Sequence, residues 1–370
     1  PMIYATNVWR PQGDQQEIGL YLDDIQNSEL TYEKTKEFNI GFDAGFFRNR
    51  LNISFDAYWR NNYDLVGPVE TTRVGGHITK WANVANMKSN GVELTISTNN
   101  LSPSSPFKWT TDFTFSWTDN KITSLLSRSN MMQLCQGQLS TSHYREGYMH
   151  SAMFSIPFVG LNDQGIPQVL NEDGDVTTTN IYFQEYEKLN NLIYNGPTEP
   201  PFTGGFNNTL SWKNWRLNVF FTYSFGNTIR LDPVFKSSYS DQSAMSRDFL
   251  DRWVESGDEK VTNVPVIASY RQVANINSLS YAYNAYNYSD ARVASGSFIR
   301  LKDISLTYEL PKRATKWLGL GSASVKFDAT NIWLVYSDKK LKGQDPEFVN
   351  SGGVALPTPK QLTLTVRLGI

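Results

Sequence analysis

Nine stretches of the chain alternate apolar and polar residues, and the connectors between them are short and long in strict turn. The last stretch is the cleanest. Leu362, Leu364, Val366, Leu368 and Ile370 share one parity, and Gln361, Thr363, Thr365 and Arg367 share the other. Side chains on a strand change faces at every residue, so the pattern builds a two-faced ribbon. Strands of about ten residues with one apolar and one polar face are what a membrane barrel requires. The spacing predicts an all-β, transmembrane antiparallel β-barrel with strands over 36–46, 51–60, 90–99, 107–118, 204–212, 215–226, 296–309, 322–334 and 360–370.

On the first strand Phe38, Ile40, Phe42, Ala44 and Phe46 point one way, and Asn39, Gly41, Asp43 and Gly45 the other. Arg48-Asn49-Arg50 closes a tight turn. The second strand then sets Leu51, Ile53, Phe55, Ala57 and Trp59 outward against Asn52, Ser54, Asp56, Tyr58 and Arg60. Trp212 and Trp215 flank the Lys213-Asn214 turn, where an aromatic girdle belongs. The parity slips in the seventh strand, which places a bulge near Lys302-Asp303. Outer-membrane barrels have short periplasmic turns and long outer loops. That rule makes residues 1–35 an extracellular loop segment and 36–370 the barrel portion, with the C-terminus at the periplasmic rim. Nine is odd, whereas one-chain bacterial barrels use even numbers. Bare strand edges in lipid are costly. Further strands are therefore expected before Pro1 or in another chain.

Composition sharpens this picture. Charged residues are 19% and the net charge is −2, which gives no electrostatic case for nucleic acid. Ten Trp, 19 Tyr and 21 Phe suit interfacial girdles. No stretch approaches the roughly 20 continuous apolar residues of a membrane helix. The mean hydropathy of −0.42 fits a barrel, whose apolar face occupies only alternate positions. Cys135 stands alone, so no disulfide framework or cysteine metal cluster is expected. No charged-then-apolar leader is visible after Pro1, so a signal sequence would lie on a longer precursor.

Several segments resemble the C-terminal half of SusC/RagA-type TonB-dependent transporters of Bacteroidota. They are LTYEKTKEFNIGFDAGFFRNRLNISFDAYWRNNYDLV (30–66), NVANMKSNGVELTIS (83–97) and FTGGFNNTLSWKNWRLNVFFTYSFGN (202–227), followed by SFIRLKDISLTYELPK (297–312), ATNIWLVYS (329–337) and DPEF (345–348). They fall in the family's order and spacing across nearly the whole chain. The ending Leu368-Gly369-Ile370 departs from the family's terminal aromatic. The resemblance implies that this chain supplies about nine strands of a barrel of about 22, the plug domain and N-terminal strands lying elsewhere. It implies nutrient uptake across the outer membrane, of oligosaccharides or peptides, and no enzyme activity. It further implies TonB acting through the plug, a SusD-like surface lipoprotein as lid, and a dimer of transporter–lipoprotein pairs. Barrel physics alone also allows a passive porin or adhesin. A soluble glycan-binding β-sandwich shares the alternation.

Candidate substrate contacts lie on the long loops. Tyr281, Tyr283, Tyr286 and Tyr288 stand among Asn residues, a set suited to sugar rings or peptides, although loop packing or lid contact is the favoured reading. Arg247, Arg252 and Trp253 fall in a short helix expected over 244–256. Asn171, Asp173 and Asp175 have the alternation of a weak calcium loop, although Asx-Gly turns use the same residues. No other cofactor is expected. His77, His143 and His150 are isolated, and no nucleophile elbow appears. Lys108, Asp112, Arg216, Lys326, Asp328 and Arg367 face inward and are expected to form lumen-lining ion pairs with the plug or with neighbouring strands.

Overall fold

The computed structural model describes residues 2–9, 16–24, 27–71, 79–137, 143–233, 247–348, 357 and 359–370. Nine antiparallel strands form one sheet: β1 (Lys34–Phe46), β2 (Leu51–Glu70), β3 (Thr79–Asn99), β4 (Phe107–Leu125), β5 (Phe202–Trp212), β6 (Trp215–Phe225), β7 (Phe298–Glu309), β8 (Ser322–Tyr336) and β9 (Gln361–Gly369). Each strand pairs with its neighbours in the chain, and β1 and β9 are the edges.

Register converts the alternation into a continuous surface. Ala44, Ile53, Ile96, Phe113, Phe206, Phe221, Leu301 and Trp333 are partners in one row across eight strands. The opposite face carries rows such as Asn99, Thr110, Thr209, Asn218, Ser305, Asp328 and Thr363. A one-residue slip would exchange the two faces, so the pattern itself fixes the register. The bulge lies where parity slips: Asp303 pairs with Phe220, Leu301 with Phe221, and Lys302 is skipped.

The apolar face is bare. Phe38 (61% exposed), Leu364 (69%) and Leu368 (62%) meet no second sheet among the described residues. A water-soluble sandwich would bury such rows between two sheets, so the sandwich alternative fails. The buried core sits instead in the loops. Helix Met131–Gln136, capped reciprocally by Asn130 and Gln133, packs Leu134 and Cys135 against Phe154, Ile156, Val169 and Ala285. The connectors after β4 and β6 thus fold together into a compact cap.

Three features depart from expectation. Strands β2, β3 and β4 reach Glu70, Thr79 and Leu125, well past the alternating segments. Their extensions mix polar residues (Asn61, Asn62, Lys88, Ser89, Asp119, Asn120) with apolar ones (Leu65, Val66, Trp81, Val84, Ile122), so no lipid-type alternation marks them. Side chains secure this region: the Asn83 amide donates to the carbonyls of Thr31 (2.8 Å) and Asp64 (2.6 Å). Second, the segment expected as loop over 1–35 contains a hairpin, Met2–Trp9 paired with Gln16–Asp24. Third, the long connectors carry small sheets of their own, including Ala152–Ser155 with Ile193–Pro197 and Thr228–Arg230 with Val293–Ser295.

Candidate functional site

The sheet's polar face and the cap bound the space that a solute would meet. Aromatic side chains on the polar face lie over glycines of the neighbouring strand. Tyr58 crosses Gly91 and brings its hydroxyl within 3.1 Å of Thr118 Oγ1 on β4. Of the inward charges, Lys326 and Asp328 form an ion pair at 2.9 Å. Asp112 accepts from Ser97 Oγ at 2.8 Å, and Lys108 donates to the Pro103 carbonyl. Lys326 and Asp328 thus pair along one strand rather than across strands, while Asp112 and Lys108 take neutral partners.

Buried cations organise the cap. Arg230 donates to the Phe154 carbonyl (2.6 Å), Ser155 Oγ (3.0 Å) and the Ser289 carbonyl (3.1 Å), joining the two long connectors. Arg292 donates to Asp248 Oδ2 at 2.7 Å, and Lys342 pairs with Asp248 Oδ1 at 2.9 Å and with Asp251. Burial pushes the Asp248 carboxyl up, but hydrogen bonds from Lys342 and Arg292 outweigh it and hold the group below its ordinary range. Arg300 on β7 donates to Asp345 (2.5 Å) and lies 2.8 Å from Glu347 Oε2. Segment 338–347 is thus a strap fastened to both the barrel wall and the cap, with Leu341 buried beside Ile229, Leu231 and Ala294. A cleft of about 520 Å³ opens beside it, lined by Asp251, Arg252, Thr262, Asn263, Tyr286 and Lys340.

The expected tyrosine display is corrected in part. Residues 279–287 form a helix, which turns Tyr283 and Tyr286 into the cap, each 1% exposed. Tyr283 donates its hydroxyl to the Val266 carbonyl at 2.6 Å. Burial pushes the Tyr286 phenol up to about 12. Tyr288 packs on the core beneath the Arg230 guanidinium, at 5.6 Å. Tyr281 is exposed and meets Phe183 edge-on at 5.5 Å.

Of the helix expected over 244–256, residues 244–246 lie outside the described residues, and a single 3₁₀ turn spans Arg247–Asp251. Arg247 is exposed and reaches the Lys342 carbonyl at 3.3 Å. Arg252 lines the cleft and donates to the Phe249 carbonyl at 2.8 Å. Trp253 is committed to packing: its ring covers Gly165 and its indole N–H donates to Glu259 at 3.1 Å. Asn171 Oδ1 accepts from the backbone of Asp173 (3.0 Å) and Asp175 (2.9 Å), and Asp173 pairs with Lys188. These three residues build a hairpin turn, and no cluster of metal-binding side chains occurs among the described residues. His77 lies outside the described residues, and His150 joins Asn120 to Glu199.

The family model for the TonB dependent receptor-like β-barrel matches residues 2–144. TonB-dependent receptor P3 of Formosa agariphila is 28% identical over 354 residues, 92% of this chain and 33% of that protein. TonB-dependent receptor SusC of Bacteroides thetaiotaomicron is 21% identical over 93% of this chain and 32% of its own length. Among solved structures, the RagAB peptide transporter superposes with a TM-score of 0.73 at 25% identity, covering 99% of this chain and 38% of that one.

Residues 2–144 match the TonB-dependent receptor β-barrel family, and the chain as a whole is similar to SusC and to the RagAB transporter.

It spans about a third of the length of the curated relatives it matches. The charged residues that fasten the strap, Asp248, Arg292, Arg300, Lys342, Asp345 and Glu347, escaped pattern reading, since each pair joins elements remote in sequence. The DPEF run was their one visible sign, and its two acids are the groups that hold Arg300.

Proposed function

We propose that this receptor segment forms the wall and outer loops of an energised outer-membrane importer. The observation that carries the reading is the bare apolar face of a nine-strand wall whose loops bury a core of their own. Such a wall is stable where lipid covers its outer side. Short turns then face the periplasm and long loops the exterior, with the C-terminus at the periplasmic rim. Further strands complete a barrel of about 22, around a plug through which TonB delivers energy. A surface lipoprotein closes over the cap, and two such pairs associate.

The solute is an oligosaccharide or a peptide. The likeness to SusC and to the RagAB peptide transporter supports this range. Tyr281, Arg247 and Arg252 are exposed or line the cleft, and they are the candidate contacts carried forward. The role calls for no catalytic residue and no cofactor. Growth of a strain deleted for the full receptor gene, on single oligosaccharides and on peptides, is the test. Loss of growth on one class, with loss in a TonB-deficient strain as well, is the expected result. Unchanged growth without TonB would point to a passive pore and overturn the reading.

A further inference from the structure

Three of the four short connectors share a basic composition that barrel closure does not require. The first, 47–50, carries Arg48 and Arg50. The second, 100–106, is uncharged, with Lys108 just beyond it on the polar face of β4. The third, 213–214, holds Lys213, and the fourth, 310–321, holds Lys312, Arg313 and Lys316, with no acid in any of the four. Across the whole chain, by contrast, 34 basic residues face 36 acidic ones. All of these cations except Arg50 are solvent-exposed.

Exposed aromatics stand among them. Phe47 is 76% exposed and Trp317 86%. Lys213 lies 4.6 Å over the Trp212 ring, and Trp215 stacks on Tyr308 at 4.5 Å on the sheet's bare face. The fourth connector folds as helix Lys312–Trp317, its Thr315 buried against the barrel while Lys312, Arg313, Lys316 and Trp317 point away. The strand end before it is fastened to the third connector, since the Asn214 amide donates to the Glu309 carbonyl at 2.6 Å. The basic band is therefore continuous with the apolar belt above it.

We propose that the short-turn rim docks anionic phospholipid headgroups, with helix Lys312–Trp317 as its anchor. Trp has an apolar body and a polar tip, which suits the headgroup level of a bilayer. Clustered Lys and Arg at that level attract anionic lipid. A protein partner fits less well, because the band borders the apolar face directly and follows it at three of the four turns. The inference rests on the membrane-barrel reading above.

The test uses the full-length receptor in nanodiscs of phosphatidylcholine mixed with phosphatidylglycerol. Native mass spectrometry counts the lipids that each protein retains. Wild type is expected to retain phosphatidylglycerol preferentially. The variant Lys312→Gln, Arg313→Gln, Lys316→Gln is expected to retain it at least about threefold less, with phosphatidylcholine unchanged. Heat-modified electrophoretic mobility checks folding, and Lys316→Gln alone supplies a milder variant with a smaller loss. Brominated lipids are also expected to quench Trp317, read as the signal lost in Trp317→Phe. Equal retention of the two lipids, an unchanged triple variant, or a protein shielding Trp317 from quenching overturns the proposal. Trp215 distinguishes the two levels: if it too escapes quenching in Trp215→Phe difference spectra, the membrane reading itself has failed.

Discussion

The ring of Tyr58 lies flat across Gly91, so close that a Cβ on residue 91 would sit 2.3 Å from the ring. The pair is a directly opposed partner pair of β2 and β3. Glycine is needed here for space. The contact lets a β2 side chain span β3 and reach Thr118 on β4. Gly91→Ala forces the ring away and overpacks the site, at about 1–3 kcal/mol. Tyr58→Phe keeps the ring and loses one hydrogen bond, at about 0.5–1.5 kcal/mol. Urea titration of the folded barrel should rank the two in that order, and a harmless Gly91→Ala would contradict the geometry.

Arg300 predicts a local failure. Its guanidinium is buried with Asp345 and close to Glu347. Removing one partner of a buried pair leaves an uncompensated charge, at about 3–5 kcal/mol. Arg300→Ala should therefore release segment 338–347 while the strands stay paired. Limited proteolysis reads this directly, with new cleavage near Lys339, Lys340 and Lys342 and an intact wall fragment.

The Asp248–Lys342 clasp predicts a pH window. The folded-state pKa of Asp248 is depressed, so its contribution is fully present above the unfolded value of about 3.9 and fades as pH falls through the lower folded value. Lys342 moves the other way. Burial lowers it, but its hydrogen bonds to Asp251 and Asp248 outweigh that and raise it. Its contribution is present below about 10.4 and fades as pH rises through the higher folded value. Hydrogen exchange at 247–251 and 339–343 should be slow between those limits and quicken below the acid one and above the alkaline one. Asp248→Asn should abolish the acid limb.

Neighbouring residues of β9 test the two faces. Leu364 stands on the bare apolar side and Thr363 on the polar side. A charge on the lipid face near mid-bilayer costs about 2–4 kcal/mol. Leu364→Arg should lower the yield of folded receptor in outer-membrane fractions, whereas Thr363→Arg should be tolerated. Equal yields would remove the lipid assignment of that face.

The wall was legible because lipid imposes its rule on every second residue. Expected and observed strand ends agree closely at the short-turn side, as at Phe46 and Leu51 or Trp212 and Trp215. They diverge on the loop side of β2, β3 and β4, where Asn62, Val84, Ser89, Asn120 and Ile122 are buried and no lipid-type periodicity runs. The cap was hidden for a different reason. Its core joins Leu134 to Phe154 and Ala285, and its clasp joins Asp248 to Lys342, contacts that no local pattern encodes. The tyrosine run shows the hazard: four rings among Asn residues suggested a display, yet a helix carried Tyr283 and Tyr286 inward.

The long extension of β3 sets a height. Its 21 residues, tilted about 45°, climb about 50 Å, against an oily band of about 25 Å. Roughly 25 Å of hydrogen-bonded collar then stands clear of the oily band. With the long loops outward, as proposed, a solute meets that raised rim before it meets the hydrocarbon.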